Sequence, residues 1–195
     1  MPLLTLEFKK KLDAPTVLTF VRADGSRTSS PIGPHDRYGP VHDLAHYVVE
    51  SMFGFSRAFL GLCAEGWTIQ DFEKDAGKKM PPEAAVAEFL AGAISAMEMM
   101  GRYHSLDDFN WSIAQASAGW TAGDRTKAWG ELGAFIERWR AGEAPIKVTA
   151  DQYDAMRRAL ARLRAEWNEV PFSGTMRLVF EPGRARRVSP AGDLV

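Results

Sequence analysis

Residues 34–50 read PHDRYGPVHDLAHYVVE and join two differently patterned parts of the chain. The prolines and the glycine up to Pro40 predict a loop, because proline removes a backbone donor and glycine permits positive φ. From Val41 onward apolar residues recur at helical spacing, which predicts one long helix over residues 41–62. The stretch also holds three of the four histidines and three carboxylates, so any histidine-based chemistry is expected here.

Upstream of this junction the chain is patterned as strands. Residues 4–8 alternate apolar and polar side chains, and residues 17–21 are β-branched and aromatic. The dipeptide Asp24-Gly25 predicts a tight turn that folds residues 27–30 back along the second strand. Residues 175–180 alternate in the same way and predict a final strand. Because an isolated strand needs partners, we expect it to join the N-terminal hairpin.

Downstream of the junction, capping signals and apolar spacing predict further helices. They are expected shortly after Thr68, over residues 82–102, from Ser105, over residues 124–139 and over residues 149–167. Strands at both ends and helices between them predict an α+β fold, mainly helical, with a small antiparallel sheet formed by the N-terminal hairpin and the C-terminal strand. Residues 1–183 are expected to form a single globular domain, and residues 184–195 a flexible tail.

Composition argues against several functions. With 24 basic and 25 acidic side chains the net charge is −1, which provides no field that would attract nucleic acid, so no such partner is predicted. The single cysteine, Cys63, cannot form an intrachain disulfide, which fits a cytoplasmic setting. No window approaches the run of about 20 apolar residues that spans a membrane. We therefore expect a soluble protein, and its composition is compatible with a small-molecule ligand and with a homo-oligomer.

A row of polar side chains on the predicted first helix indicates a metal site. His42, His46 and Glu50 are spaced one helical turn apart, so they lie along one flank. Two histidines in this arrangement can bind one ion, and zinc commonly has three or four His, Asp, Glu or Cys ligands. The loop before the helix can add His35 or Asp36 if it folds back. We therefore predict a divalent-metal site, with zinc as the expected ion, formed by His35, His42, His46 and Glu50.

Helical phase predicts how this row is buried. At about 100° per residue, the row starts beside the apolar stripe at His42 and turns toward solvent by Glu50. Asp43 lies about 100° further round the helix than His42. It is therefore not expected to share the ion.

Two interpretations without a metal stay open. In the first, His46 acts as a general base and Glu50 or Asp36 orients its ring, since an unperturbed histidine titrates near pH 6.5, at about the pH where such a base is useful. His46 and Glu50 are accordingly the predicted catalytic residues. In the second, the cluster only hydrogen-bonds the loop to the helix and has no chemical role.

No motif in the sequence identifies a reaction. Asp43 stands where an H-E-x-x-H motif has its glutamate, and the P-loop, G-x-G-x-x-G and G-x-S-x-G patterns are absent. The predicted function is a small, soluble, metal-dependent enzyme, hydrolase-like, that uses the histidine-rich loop and helix. The alternative is a non-catalytic binding or protein-interaction domain in which the same residues are structural.

Overall fold

The computed structural model describes residues 2–32, 40–72, 78, 80–102, 105–121 and 148–195. Within these ranges the chain forms four strands and five α-helices. The strands are β1 (Leu4–Lys9), β2 (Val17–Arg22), β3 (Arg27–Pro31) and β4 (Thr175–Phe180); the helices are α1 (Val41–Phe53), α2 (Phe59–Ala64), α3 (Pro82–Met100), α4 (Leu106–Thr121) and α5 (Ala150–Glu169), with a 3₁₀ turn at Ile69–Phe72. The prediction of an α+β fold that is mainly helical is confirmed.

The four strands form one antiparallel sheet in the order β3-β2-β1-β4. Leu6 of β1 lies opposite Phe20 of β2 on one side and Leu178 of β4 on the other. Because side chains alternate across a strand, Leu4, Leu6 and Phe8 share one face, and all three are fully buried. The N-terminal hairpin and the C-terminal strand therefore meet in one sheet, as predicted.

Helix α1 occupies the middle of the helical layer. It packs against α3 and α5, while α2 packs against β1 and β2. The Phe59 ring of α2 lies 5.7 Å from the Phe20 ring of β2, and the Trp167 ring of α5 lies 6.4 Å from that of Phe8. Helices α3 and α5 thus cover much of α1, and nine of its 13 residues are buried.

The prediction of one helix over residues 41–62 is wrong, because two helices occupy that region. Helix α1 ends where Gly54 adopts a left-handed conformation with φ 65°. The turn that follows is fixed by Glu83 of α3, whose carboxylate accepts the backbone N–H groups of Ser56 at 2.7 Å and Arg57 at 2.9 Å. The apolar residues keep helical spacing on both sides of this turn, so their periodicity alone does not reveal the break.

Both ends of α5 carry specific stabilising contacts. The predicted capping box is present at its start, where Thr149 and Gln152 exchange side-chain to backbone hydrogen bonds. At its end, Lys10 donates from Nζ to the carbonyl oxygens of Trp167 and Val170, both at 2.7 Å, and lies 4.7 Å above the Trp167 ring. A cation at a helix C-terminus is stabilised by the helix dipole, so Lys10 ties the sheet to α5.

Replacing Lys10 with methionine is expected to lower the free energy of unfolding by about 1–2 kcal/mol, because the substitution keeps the apolar stem and removes the charged donor. Equilibrium denaturation measures this loss. Lys11→Met removes a lysine whose side chain is exposed and serves as the matched control, with an expected change within about 0.5 kcal/mol. Equal stabilities of the two variants would show that the Lys10 contacts at the helix end contribute nothing.

Residues 184–195 lie against the helical layer. The backbone N–H of Arg186 donates to the Ser51 carbonyl at 2.8 Å, and its guanidinium donates to Tyr47 Oη at 2.9 Å. Val188 pairs with Leu194 in an isolated bridge. The predicted flexibility of this segment and the domain boundary at residue 183 stay predictions.

The helix predicted over residues 124–139 lies outside the described residues. None of the helices that the structure describes has both the length and the apolar character needed to cross a membrane.

Candidate metal site

Three side chains from two helices converge beside α1. His42 and His46 project from α1, and Glu88 projects from α3, which packs alongside. Each offers one potential ligand atom, and these atoms all lie within 4.8 Å of one another. The Glu88 carboxylate contacts both rings, with Oε1 3.4 Å from His42 Nε2 and Oε2 3.1 Å from His46 Nε2. The arrangement is that of a small cluster of metal-ligating atoms.

The cluster lies at the edge of the protein core. The side chains of His42 and Glu88 are 43% and 44% exposed, whereas that of His46 is 4% exposed. The two imidazole rings meet edge to face with centroids 4.9 Å apart. One side of the cluster is therefore open to solvent and to small molecules, and the other side is enclosed by protein.

Glu50 lies behind His46. Its Oε1 is 3.1 Å from His46 Nδ1, and its Oε2 accepts the backbone N–H of Leu60 at 2.9 Å. Its side chain is completely buried. The prediction that the row turns toward solvent from His42 to Glu50 is wrong: burial increases along the row, because α2 covers the C-terminal end of α1.

Two carboxyl groups, Glu50 and Glu88, control the protonation of His46. Burial by itself would lower the pKa of His46, but the hydrogen bonds and charges of Glu50 and Glu88 outweigh it and raise that pKa to about 10. Partial burial opposes ionisation of Glu88, yet the two histidines hold the pKa of that carboxyl well below its usual range. Burial raises the pKa of Glu50, and its hydrogen bond from His46 opposes that shift. Both carboxylates thus favour the charged form of His46.

Aromatic rings form the enclosed wall of the cluster. The Phe59 ring lies 5.1 Å from His46 and 4.8 Å from Phe72, and Phe72 lies 5.2 Å from Trp67. The Phe59 ring restricts how the His46 ring can turn, and Phe72 and Trp67 support Phe59. Because the His46 side chain is only 4% exposed, its electrostatic interactions are stronger than they would be in water.

The structure brings together some of the side chains that the sequence predicts for this site. His42 and His46 lie next to each other, and Glu50 contacts His46 without joining the three-residue cluster. His35 and Asp36 lie outside the described residues. Asp43 is half-buried, and burial raises the pKa of its carboxyl; among the described residues it is not a member of the cluster. The role of Glu50 as a metal ligand stays a prediction.

Glu88 is the member of the cluster that was not predicted from the sequence. This residue stands alone among apolar and small side chains in the stretch AAVAEFLAGAISAM, residues 84–97. A single carboxylate in such a helix indicates a residue with a specific partner, because Glu is seldom placed near a core unless it is paired. The signal identifies a residue that needs a partner, but it does not say that the partner is His46.

No protein-family model matches this chain, and neither a curated protein nor a solved structure is significantly similar to it. The function is therefore inferred from the residues of the site.

Proposed function

We propose that His42, His46 and Glu88 bind one divalent metal ion, with zinc as the expected ion, and that the protein is a small metal-dependent enzyme with hydrolase-like chemistry. The observation that carries this proposal is the convergence of two imidazole nitrogens and one carboxylate from two packed helices. Two histidines and one glutamate are a known ligand set of catalytic zinc sites, in which a water molecule takes the remaining position.

The spacing of the cluster is close to that of a zinc site but wider. Bonds of about 2.0–2.1 Å in a tetrahedral arrangement separate two ligand atoms by roughly 3.3–3.4 Å. The two short contacts of Glu88 use different oxygens, Oε1 toward His42 and Oε2 toward His46, and with one ligand atom per residue the three atoms lie within 4.8 Å of one another. An ion would therefore draw the three side chains together, and His42 and Glu88 are exposed enough to move.

The open side of the cluster supports a catalytic role over a closed structural one. A zinc ion with three protein ligands lowers the pKa of a bound water to about 7, which supplies hydroxide at neutral pH. Because His42 and Glu88 are more than two-fifths exposed, a substrate can approach the ion from that side. Held by His42, His46 and Glu88, a zinc ion would supply Lewis-acid chemistry of the hydrolase type at this open side.

A structural network without metal is the second candidate, and one observation favours it. His46 has carboxylate partners on both ring nitrogens, so the charged imidazolium is fully satisfied with no ion present. In this case the cluster joins α1 to α3 and α2, and the protein is a non-catalytic binding or interaction domain.

Zinc binding distinguishes the two candidates. Metal-free wild-type protein is expected to bind one zinc ion per chain in isothermal titration, and both His42→Ala and Glu88→Gln are expected to weaken that binding by 100-fold or more, because each removes a ligand. Glu98→Gln is the matched control, since Glu98 lies on the same helix and pairs with Arg164. Its zinc affinity is expected to equal that of the wild type.

Two results would contradict the proposal at different levels. A wild-type protein that takes up no zinc, and whose thermal unfolding is unchanged by zinc, has no metal site and leaves the structural network as its role. If the protein binds zinc but shows no zinc-dependent hydrolysis of ester, amide or phosphoester probes, the metal site is supported and the proposed hydrolase activity is wrong.

A further inference from the structure

The carboxylate of Glu50 is held from two sides in the interior. One oxygen faces His46 Nδ1 at 3.1 Å, and the other accepts the Leu60 N–H at 2.9 Å. Its side chain is 0% exposed, so water cannot substitute for either partner. The position of this carboxylate is therefore determined by α2 as much as by α1.

This position separates Glu50 from any ion in the cluster. The two nitrogens of an imidazole ring point away from each other, and Glu88 faces His46 Nε2 while Glu50 faces Nδ1. An ion bound at Nε2 lies on the far side of the ring from Glu50. Glu88 can thus bind the ion together with His46, whereas Glu50 can act only on the opposite nitrogen of the ring.

We infer that Glu50 is a positioning residue, which holds neutral His46 in the tautomer protonated at Nδ1 and so presents Nε2 to the metal. Glu50 already acts as an acceptor for the Leu60 N–H through Oε2, and its other oxygen, Oε1, faces His46 Nδ1; a carboxylate oxygen in that position accepts from a ring N–H. The lone pair is then on Nε2, beside His42 and Glu88. This inference rests on the proposed metal site and assigns the residue that prepares it.

Helix α2 helps to hold both Glu50 and His46 in place. Its Leu60 N–H fixes one Glu50 oxygen, and its Phe59 ring lies against the His46 ring with centroids 5.1 Å apart. Glu50, Phe59 and Glu88 therefore constrain the imidazole from three directions. Outer partners of metal-bound histidines typically contribute 10- to 100-fold to metal affinity, and we expect Glu50 to fall in this range.

Glu50→Gln tests the inference, because glutamine has one acceptor where glutamate has two. If its oxygen accepts the Leu60 N–H, its amide N–H₂ faces His46 Nδ1 and favours the tautomer protonated at Nε2, which cannot bind the ion. The variant is expected to bind zinc 10- to 100-fold more weakly than wild type, with one-to-one stoichiometry. Glu98→Gln also alters a buried glutamate and controls for any loss of stability, with zinc affinity unchanged.

A measurement on wild-type protein keeps the inference testable if Glu50→Gln does not fold. In protein with ¹⁵N-labelled histidine and bound ¹¹³Cd²⁺, the His46 ring is expected to show cadmium coupling through Nε2 and a protonated Nδ1. Coupling through Nδ1, or wild-type zinc affinity in Glu50→Gln, would overturn the positioning role while leaving the metal site standing. Absence of any zinc or cadmium binding by wild type would instead overturn the proposed function, and this inference with it.

Discussion

Metal-free protein carrying His46→Ala is expected to unfold about 6–20 °C below the wild type. The substitution leaves the fully buried Glu50 without its counter-charge, and breaking a buried ion pair from one side typically costs 3–5 kcal/mol. In a domain of this size each kcal/mol corresponds to roughly 2–4 °C in the unfolding midpoint. The expected loss includes the space left by the imidazole ring, which packs against Phe59. Thermal unfolding followed by circular dichroism, in the presence of a chelator, measures the change.

His42→Ala is the matched control for this result. His42 also pairs with Glu88, but both side chains are more than two-fifths exposed, and such pairs contribute about 0–1 kcal/mol. Its midpoint is expected to fall by less than about 4 °C. The two histidines are therefore expected to be equivalent for metal binding and very different for stability. A His46→Ala midpoint within 1 °C of the wild type would show that the buried pair with Glu50 is not what stabilises this region.

Replacing Gly61 with alanine is expected to cost about 3 kcal/mol or more, at the upper end of the range for overpacked sites. A Cβ atom at this position would overlap the carbonyl oxygen of Ser56 and lie 2.5 Å from its carbonyl carbon. Both contacts are with backbone that the Glu83 carboxylate holds in place, so no side-chain rotation relieves them. The start of α2 must shift, and the Leu60 N–H shifts with it away from Glu50. Urea denaturation gives the loss in the free energy of unfolding.

Gly92→Ala provides a control of opposite sign. Gly92 lies inside α3, and a Cβ atom there would meet no atom within 4 Å. Alanine is favoured over glycine in a helix by roughly 0.5–1 kcal/mol, so this variant is expected to be slightly more stable than the wild type. If Gly61→Ala unfolds at the same urea concentration as Gly92→Ala, the close approach of α2 to Ser56 does not exist in solution.

The features predicted correctly from the sequence are those that neighbouring residues specify. Alternation in residues 4–8 gives a buried face whatever the strand pairs with, and the capping box at Thr149 and Gln152 forms from groups three residues apart. The Asp24-Gly25 turn likewise brings β3 back to β2. Each of these features depends only on residues that are close together in the sequence, so each can be predicted without the tertiary structure.

The break at Gly54 and the direction in which the polar row is buried could not be read in this way. Periodicity measures which side chains share a face of one helix, and it does not say what covers that face. Helix α2 folds back over the end of α1, and its Leu60 N–H contacts Glu50. For this reason Glu50, which helical phase places toward solvent, is the most buried residue of the row.

By itself the sequence determined the class of the fold, its four strands, and the pair His42 and His46 one helical turn apart. Only the tertiary structure decided which carboxylate joins them, because Glu88 belongs to a helix far along the chain and approaches His46 solely through the packing of α3 on α1. It also decided that Glu50 meets the inner nitrogen of His46 and not the outer one. The spacing of residues along one helix determines the side from which their side chains project. Which other residues complete the site depends on the helices and strands that pack against that side.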